Sequence, residues 1–252
     1  MIKKHLLTCS VMVVMAVIFE LNIYSTTVTK PVMKSTTTSK FIFTNNTAPT
    51  YSFANEAIPV NNAGVDRKMR TTLLQLNHKR IGSNSLHIQA ERLFPIIEPI
   101  LKVYGIPDDF KYLPLVESGL DGGKSSKGAA GLWQFMPGTA RHYGLKVGKG
   151  IDERQNVRKS TIAACKYIKE LYGLFNNWTL AAAAYNNGEI KLAKAMNDQK
   201  SCTNYFTMHL NRETGNYLYT ILAMKEVILQ PERYGYHRIF STVPATNLLA
   251  YN

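Results

Sequence analysis

Residues 112–141 read YLPLVESGLDGGKSSKGAAGLWQFMPGTAR. Glu117 is set there among Leu113, Leu115, Val116 and Leu120. Asp108, after Pro107, is placed to cap a helix that begins over 109–113, and Gly119 is a natural stop. Glu117 then falls in the last helical turn, facing the negative end of the helix dipole. Apolar neighbours and dipole both disfavour a carboxylate, so the pKa is expected to rise. That suits a carboxylic acid that must hold a proton near neutral pH. Taken alone, the pattern equally fits a helix-end glutamate paired with a lysine or arginine.

Next comes a loop of short polar residues, Ser118, Asp121, Ser125 and Ser126, among glycines at 119, 122, 123, 128 and 131. Glycine lets backbone approach a ligand or a side chain closely. Trp133 and Phe135 offer flat faces to a ligand such as a sugar ring, or else core packing. Gln134 offers an amide donor and acceptor. Pro137 is suited to open a short helix ending near Gly144.

The run Glu117-Ser118, Ser125, then 128–137 (GAAGLWQFMP) resembles the lytic transglycosylases of the bacterial cell wall. It is most similar to their membrane-bound murein transglycosylase D branch, related to goose-type lysozymes. Ala184-Tyr185-Asn186-Asn187-Gly188 and Glu213-Thr214-Gly215-Asn216-Tyr217 are similar to two further family segments, in the same order. The likeness runs from about residue 86 to 236. Lys124, Ser126 and Lys127 depart from it, crowding a loop that is usually more apolar.

Outward from this stretch the pattern is helical, and an all-α domain is expected. Leu86, Ala90, Leu93, Phe94, Ile97 and Leu101 recur at helical spacing over 85–104, where Pro95 and Pro99 should kink or divide the helix. Over 157–175, Ile162, Cys165, Ile168, Tyr172 and Phe175 share one face. Four alanines precede Tyr185, and the turn at 186–188 fixes Tyr185 and Asn186 together. Residues 213–229 form the last long helix, with Glu213 and Tyr217 one turn apart. Asp152-Glu153-Arg154 reads as solvent-facing charge that caps or anchors the helix after it.

The amino terminus is basic, then apolar over 6–19, the layout of an export signal, with a retained anchor as the alternative. Residues 25–64, rich in Thr, Ser, Asn and Pro, read as a flexible tether. The expected organisation is therefore 1–24 signal or anchor, 25–64 tether, 65–240 catalytic domain and 241–252 tail. Of the three cysteines, Cys9, Cys165 and Cys202, Cys165 sits on a helical apolar face and reads as a buried free thiol.

The formal charge is +13, with 30 basic against 17 acidic residues. The basic residues are scattered and accompany no nucleic-acid motif, so nucleic acid is not an expected partner. A basic enzyme would be held near a polyanionic envelope by long-range attraction. The six histidines, His5, His78, His87, His142, His209 and His237, show no ligand spacing, so no metal and no other cofactor is expected.

The resemblance implies a lysozyme-like helical fold, glycan strands of peptidoglycan as substrate, and an exported location, periplasmic or membrane-associated in the envelope. It implies Glu117 as the catalytic acid, with Ser118, Ser125, Gln134, Met136, Tyr185, Asn186, Glu213 and Tyr217 at the saccharide cleft. The implied reaction cleaves the β-1,4 bond between N-acetylmuramic acid and N-acetylglucosamine without water, leaving a 1,6-anhydromuramoyl end. Hydrolytic glycosidases usually need two flanking carboxylates, and only Glu117 reads as one. The rivals are a lysozyme-like hydrolase, a non-catalytic wall-binding protein and a nucleic-acid-binding helical protein.

Overall fold

The computed structural model describes residues 51–80, 85–118, 125–200 and 202–236, all within the unit spanning 45–252. The expected leader, Cys9, Asp121, the glycines at 119, 122 and 123, and the 241–252 tail lie outside them. In chain order the helices are α1 Ala63–Arg80, α2 Ser85–Tyr104, α3 Leu113–Glu117 and α4 Pro137–His142. They continue with α5 Val157–Phe175, α6 Trp178–Asn187, α7 Glu189–Asp198 and α8 Arg212–Leu229. Two short antiparallel hairpins complete the unit: β1 Ser52–Phe53 with β2 Glu56–Ala57, and β3 Val147–Gly148 with β4 Ile151–Asp152. The fold is mostly helical, of the lysozyme-like kind expected.

The core is built around α6. Ala181, Ala182, Ala183 and Ala184 are all fully buried, and their small side chains let α5 and α8 approach α6 from either side. On α5 the buried residues are Ser160, Thr161, Ala163, Ala164, Cys165, Ile168 and Leu171. Ile162, Tyr172 and Phe175 lie at the edge of that face, only partly buried, so the apolar stripe is rotated from the one expected. Cys165 is a buried free thiol, and Cys202 is also unpaired. Burial pushes the Cys165 thiol up to about 12, so it behaves as a small apolar residue.

Two expectations about helices change. α2 is one helix with Pro95 and Pro99 inside it, so the prolines do not divide it. Six buried residues on its inner face outweigh the hydrogen bonds that the prolines cannot make. The segment before Glu117 does not start on an Asp108 cap. Residues Asp108–Tyr112 form a 3-10 turn entered through Pro107, with no side-chain cap, and it continues into α3. Asp108 pairs instead with Lys111 Nζ at 2.6 Å.

The expected tether ends too late. Residues 51–62 belong to the folded unit: Tyr51, Phe53, Ala54 and Ile58 are buried. Ala54 and Asn55 turn the β1–β2 hairpin with φ of 52° and 65°, a conformation usually signalled by glycine. Its absence here hid the hairpin. Asp109 accepts from Ala54 N–H and from Lys225 Nζ, each at 2.8 Å. The Phe53 ring meets Phe110, 5.0 Å between centroids.

Glu56 ties this hairpin to α6. Its two carboxylate oxygens accept from the N–H groups of Trp178 (2.6 Å) and Thr179 (2.9 Å), while Asn177 accepts from Leu180 N–H at 2.8 Å. Three of the helix's unpaired N-terminal donors are thus satisfied, with a negative charge at the positive dipole end. Glu56→Ala is expected to lower stability by about 1–2 kcal/mol, read as a lowered midpoint in urea unfolding. Among the described residues, no helix is long and apolar enough to cross a membrane.

Candidate active site

α3 ends at Glu117, with Ser118 as its C-cap. Packing of α3 on α8 carries the Glu117 carboxyl to Tyr217, whose hydroxyl hydrogen-bonds Glu117 Oε1. Burial lifts the Glu117 pKa to about 7. The Tyr217 hydrogen bond pulls the other way, and the negative charge of Glu213 adds to the rise. Among the described residues, Glu117 has no lysine or arginine partner. The reading of this residue as a paired helix-end charge is therefore not the arrangement found.

Tyr185 stands beside the same carboxyl, near enough for the charge of Glu117 to raise its phenol further after burial has done so. Its hydroxyl donates to Trp133 O at 2.9 Å. Asn186, next on α6, donates from Nδ2 to Glu213 Oε1 (3.1 Å) and accepts from Thr214 Oγ1 (2.9 Å). Glu117, Tyr185, Asn186, Glu213 and Tyr217 are thus gathered where the ends of α3, α6 and α8 meet. An acid near neutral pKa, steadied by a phenol, can give up a proton and take one back.

The other expected residues are engaged locally. Ser118 Oγ donates to Pro114 O at 2.7 Å. Ser125 closes a turn, its hydroxyl accepting from Ala129 N–H at 3.0 Å. Gln134, at φ 46°, donates from Nε2 to Gly131 O at 2.8 Å. Met136 is 44% exposed at the entrance to α4.

Trp133 and Phe135 do not offer open faces. Trp133 is fully buried and Phe135 nearly so, and Trp133 Nε1–H donates to Thr161 Oγ1 at 2.9 Å. Their aromatic area stabilises the core on which the loop rests.

Arg154, expected to face solvent, is instead buried, 3% exposed. Its guanidinium binds Asp152 through Nε (2.8 Å) and Nη2 (2.6 Å). Its Nη1 donates to Gly128 O (2.8 Å) and Phe135 O (2.9 Å). These two carbonyls bracket the loop that carries Gln134 and Trp133. Gly131, at φ 76°, lies so close that a Cβ would sit 1.9 Å from Arg154 O, so only glycine fits.

Asn211 was also missed. It caps α8 by accepting from Thr214 N–H at 2.9 Å, and it donates to Asn187 Oδ1 at 3.0 Å. An asparagine just ahead of a helical pattern was a legible cap signal. Arg154 left no such trace, since an arginine between two acidic residues reads as surface.

Residues 95–205 match the family described as the Transglycosylase SLT domain; the span holds Glu117, Tyr185 and Arg154, with Glu213 and Tyr217 beyond it. The chain is 35% identical over 153 residues to membrane-bound lytic murein transglycosylase D of Escherichia coli (strain K12), covering 59% of this chain and 34% of that protein. It thus spans about a third of that relative's length. It is 32% identical over 113 residues to an Alteromonas sp. (strain M-1) protein named for tributyltin chloride resistance (44% of this chain, 55% of that one). It is 35% identical over 116 residues to the peptidoglycan transglycosylase gp16 of Escherichia phage T7 (44% of this chain, 9% of that one).

Proposed function

Since residues 95–205 carry a Transglycosylase SLT domain, we propose that the chain is a peptidoglycan lytic transglycosylase with Glu117 as its catalytic acid and base. The observation that carries this reading is the desolvated Glu117 carboxyl, near pKa 7 and held by Tyr217. The names of the E. coli and phage T7 relatives, a lytic murein transglycosylase and a peptidoglycan transglycosylase, support it.

In the proposed reaction Glu117 first donates its proton to the glycosidic oxygen as the bond from C1 of N-acetylmuramic acid breaks. The muramoyl N-acetyl group stabilises C1. Glu117, now a carboxylate, accepts the proton of the muramoyl 6-hydroxyl as O6 closes on C1. The product is a 1,6-anhydro ring, and Glu117 is again protonated. One group acts twice, which requires a pKa near the working pH. Tyr217 fixes the carboxyl, and Tyr185, Asn186 and Glu213 line its approach, with Ser118, Ser125, Gln134 and Met136 as further cleft contacts.

The basic, apolar amino terminus and the membrane-bound name of the E. coli relative support a place in the cell envelope. Mass spectrometry of digested peptidoglycan tests the chemistry. Products one water lighter than hydrolytic muropeptides are expected; reducing ends of full mass would make the chain a lysozyme-like hydrolase instead.

A further inference from the structure

The turn of α8 that carries Tyr217 is held by a side chain from outside the helix. Tyr205 lies in the segment between α7 and α8 and is 3% exposed. Its hydroxyl donates to Thr214 O at 2.6 Å and accepts from Leu218 N–H at 3.2 Å. In an α-helix those two backbone groups are each other's partners, one rung of the ladder. A single phenol oxygen thus binds both groups of the rung that spans Tyr217. A side chain inserted at a rung bends a helix locally, so this hydroxyl bears on the direction in which the turn projects Tyr217.

The next carbonyl is held as well. Gly215 O accepts from Lys68 Nζ of α1 at 2.6 Å, and that ammonium stands 4.7 Å from the centre of the Tyr219 ring. Thr214 is fixed further: its N–H is capped by Asn211, and its hydroxyl donates to Asn186 Oδ1, each at 2.9 Å. The start of the turn is therefore tied to α1, to α6 and to the segment before α8. From this turn Tyr217 reaches Glu117 Oε1.

We propose that Tyr205, with Lys68, is a positioning residue: its hydroxyl sets the shape of the 214–218 turn and so places the Tyr217 phenol on the Glu117 carboxyl. The inference rests on the reading of Glu117 as the acid and base of a lytic transglycosylase. Phenylalanine at 205 keeps the ring but leaves Thr214 O and Leu218 N–H to pair with each other, and the turn relaxes to ordinary helix. Tyr217 then shifts, and Glu117 loses a hydrogen bond that favours its charged form. Glu213 and Tyr185, which also face that carboxyl, are kept in every variant.

Tyr205→Phe is expected to lower kcat on purified peptidoglycan by about ten- to a hundredfold with KM unchanged. The alkaline limb of kcat/KM is expected to move to higher pH. In a chain already carrying Tyr217→Phe, Tyr205→Phe is expected to lower kcat no further. An unchanged kcat, or losses that multiply in the double variant, overturns the proposal. So does a limb that stays in place or moves to lower pH, which marks a general loosening of the site. Should Tyr205→Phe fail to fold, Lys68→Met, which frees Gly215 O in the same turn, is taken through the same cycle with the same expectations.

If the unaltered chain releases no muropeptide, the proposed function falls, and the positioning role is read from Glu117 itself by NMR of isotope-labelled glutamate side chains. The Glu117 carboxyl is expected to titrate at higher pH in Tyr205→Phe than in the unaltered chain. In the Tyr217→Phe background the second substitution is expected to leave that titration where it was. A titration that Tyr205→Phe does not move in the unaltered background overturns the proposal.

Discussion

Glu117→Gln is expected to lower kcat on purified peptidoglycan by about a thousandfold or more, with KM little changed, because the amide neither donates the first proton nor accepts the second. Glutamine keeps the shape of the side chain and a hydrogen-bonding oxygen for Tyr217. A non-catalytic wall-binding protein would bind strands equally well as either form and release no muropeptide from either. For the unaltered chain, kcat/KM should fall above pH about 7, where Glu117 loses its proton.

The same substitution has a predictable effect on stability. The Glu117 pKa is about 7 in the folded chain against an ordinary 4.5. The folded form therefore keeps a proton that the unfolded form has lost between those values, and stability falls as pH rises through that window. The loss is complete above pH 7 and is on the order of 3 kcal/mol. Glu117→Gln does not titrate, so it should gain on the unaltered chain between pH 4.5 and 7.5 in urea unfolding. A constant difference across that range would mean that the carboxyl is not desolvated.

Arg154→Met is expected to remove both folding stability and turnover. Methionine keeps much of the apolar stem but leaves Gly128 O, Phe135 O and Asp152 without the guanidinium that now binds them. Breaking one side of a buried ion pair typically costs about 3–5 kcal/mol. Here Asp152 is 36% exposed and recovers some hydration, so about 3 kcal/mol is expected. The loop that loses its clamp holds Trp133 O, to which Tyr185 is bonded. Thermal unfolding should show the loss directly, and kcat should remain low well below the new midpoint. A variant of unchanged midpoint would mean that the loop stands without the arginine.

The β1–β2 hairpin shows how far local reading reaches. Helical periodicity marked α2, α5 and α8, because the spacing of apolar residues is a property of each segment alone. No such period marks a two-residue strand, and without glycine at 54–55 its turn left no signal. Residues 51–62 were folded by partners far along the chain, Asp109 and Lys225 for the hairpin backbone and Trp178 and Thr179 for Glu56.

The sequence alone determined that the domain is helical, that Glu117 ends a short helix among leucines, and that Cys165 is buried. Each follows from neighbours within a turn or two, where propensity, dipole and apolar spacing act. Only the tertiary structure decided what meets that carboxyl and what supports it. Tyr217 reaches Glu117 across 100 residues, Trp133 turns inward onto Thr161, and Arg154 is buried beneath the loop. The reason is that a polar side chain is buried only where another element supplies its hydrogen bonds, and that supply is fixed by packing.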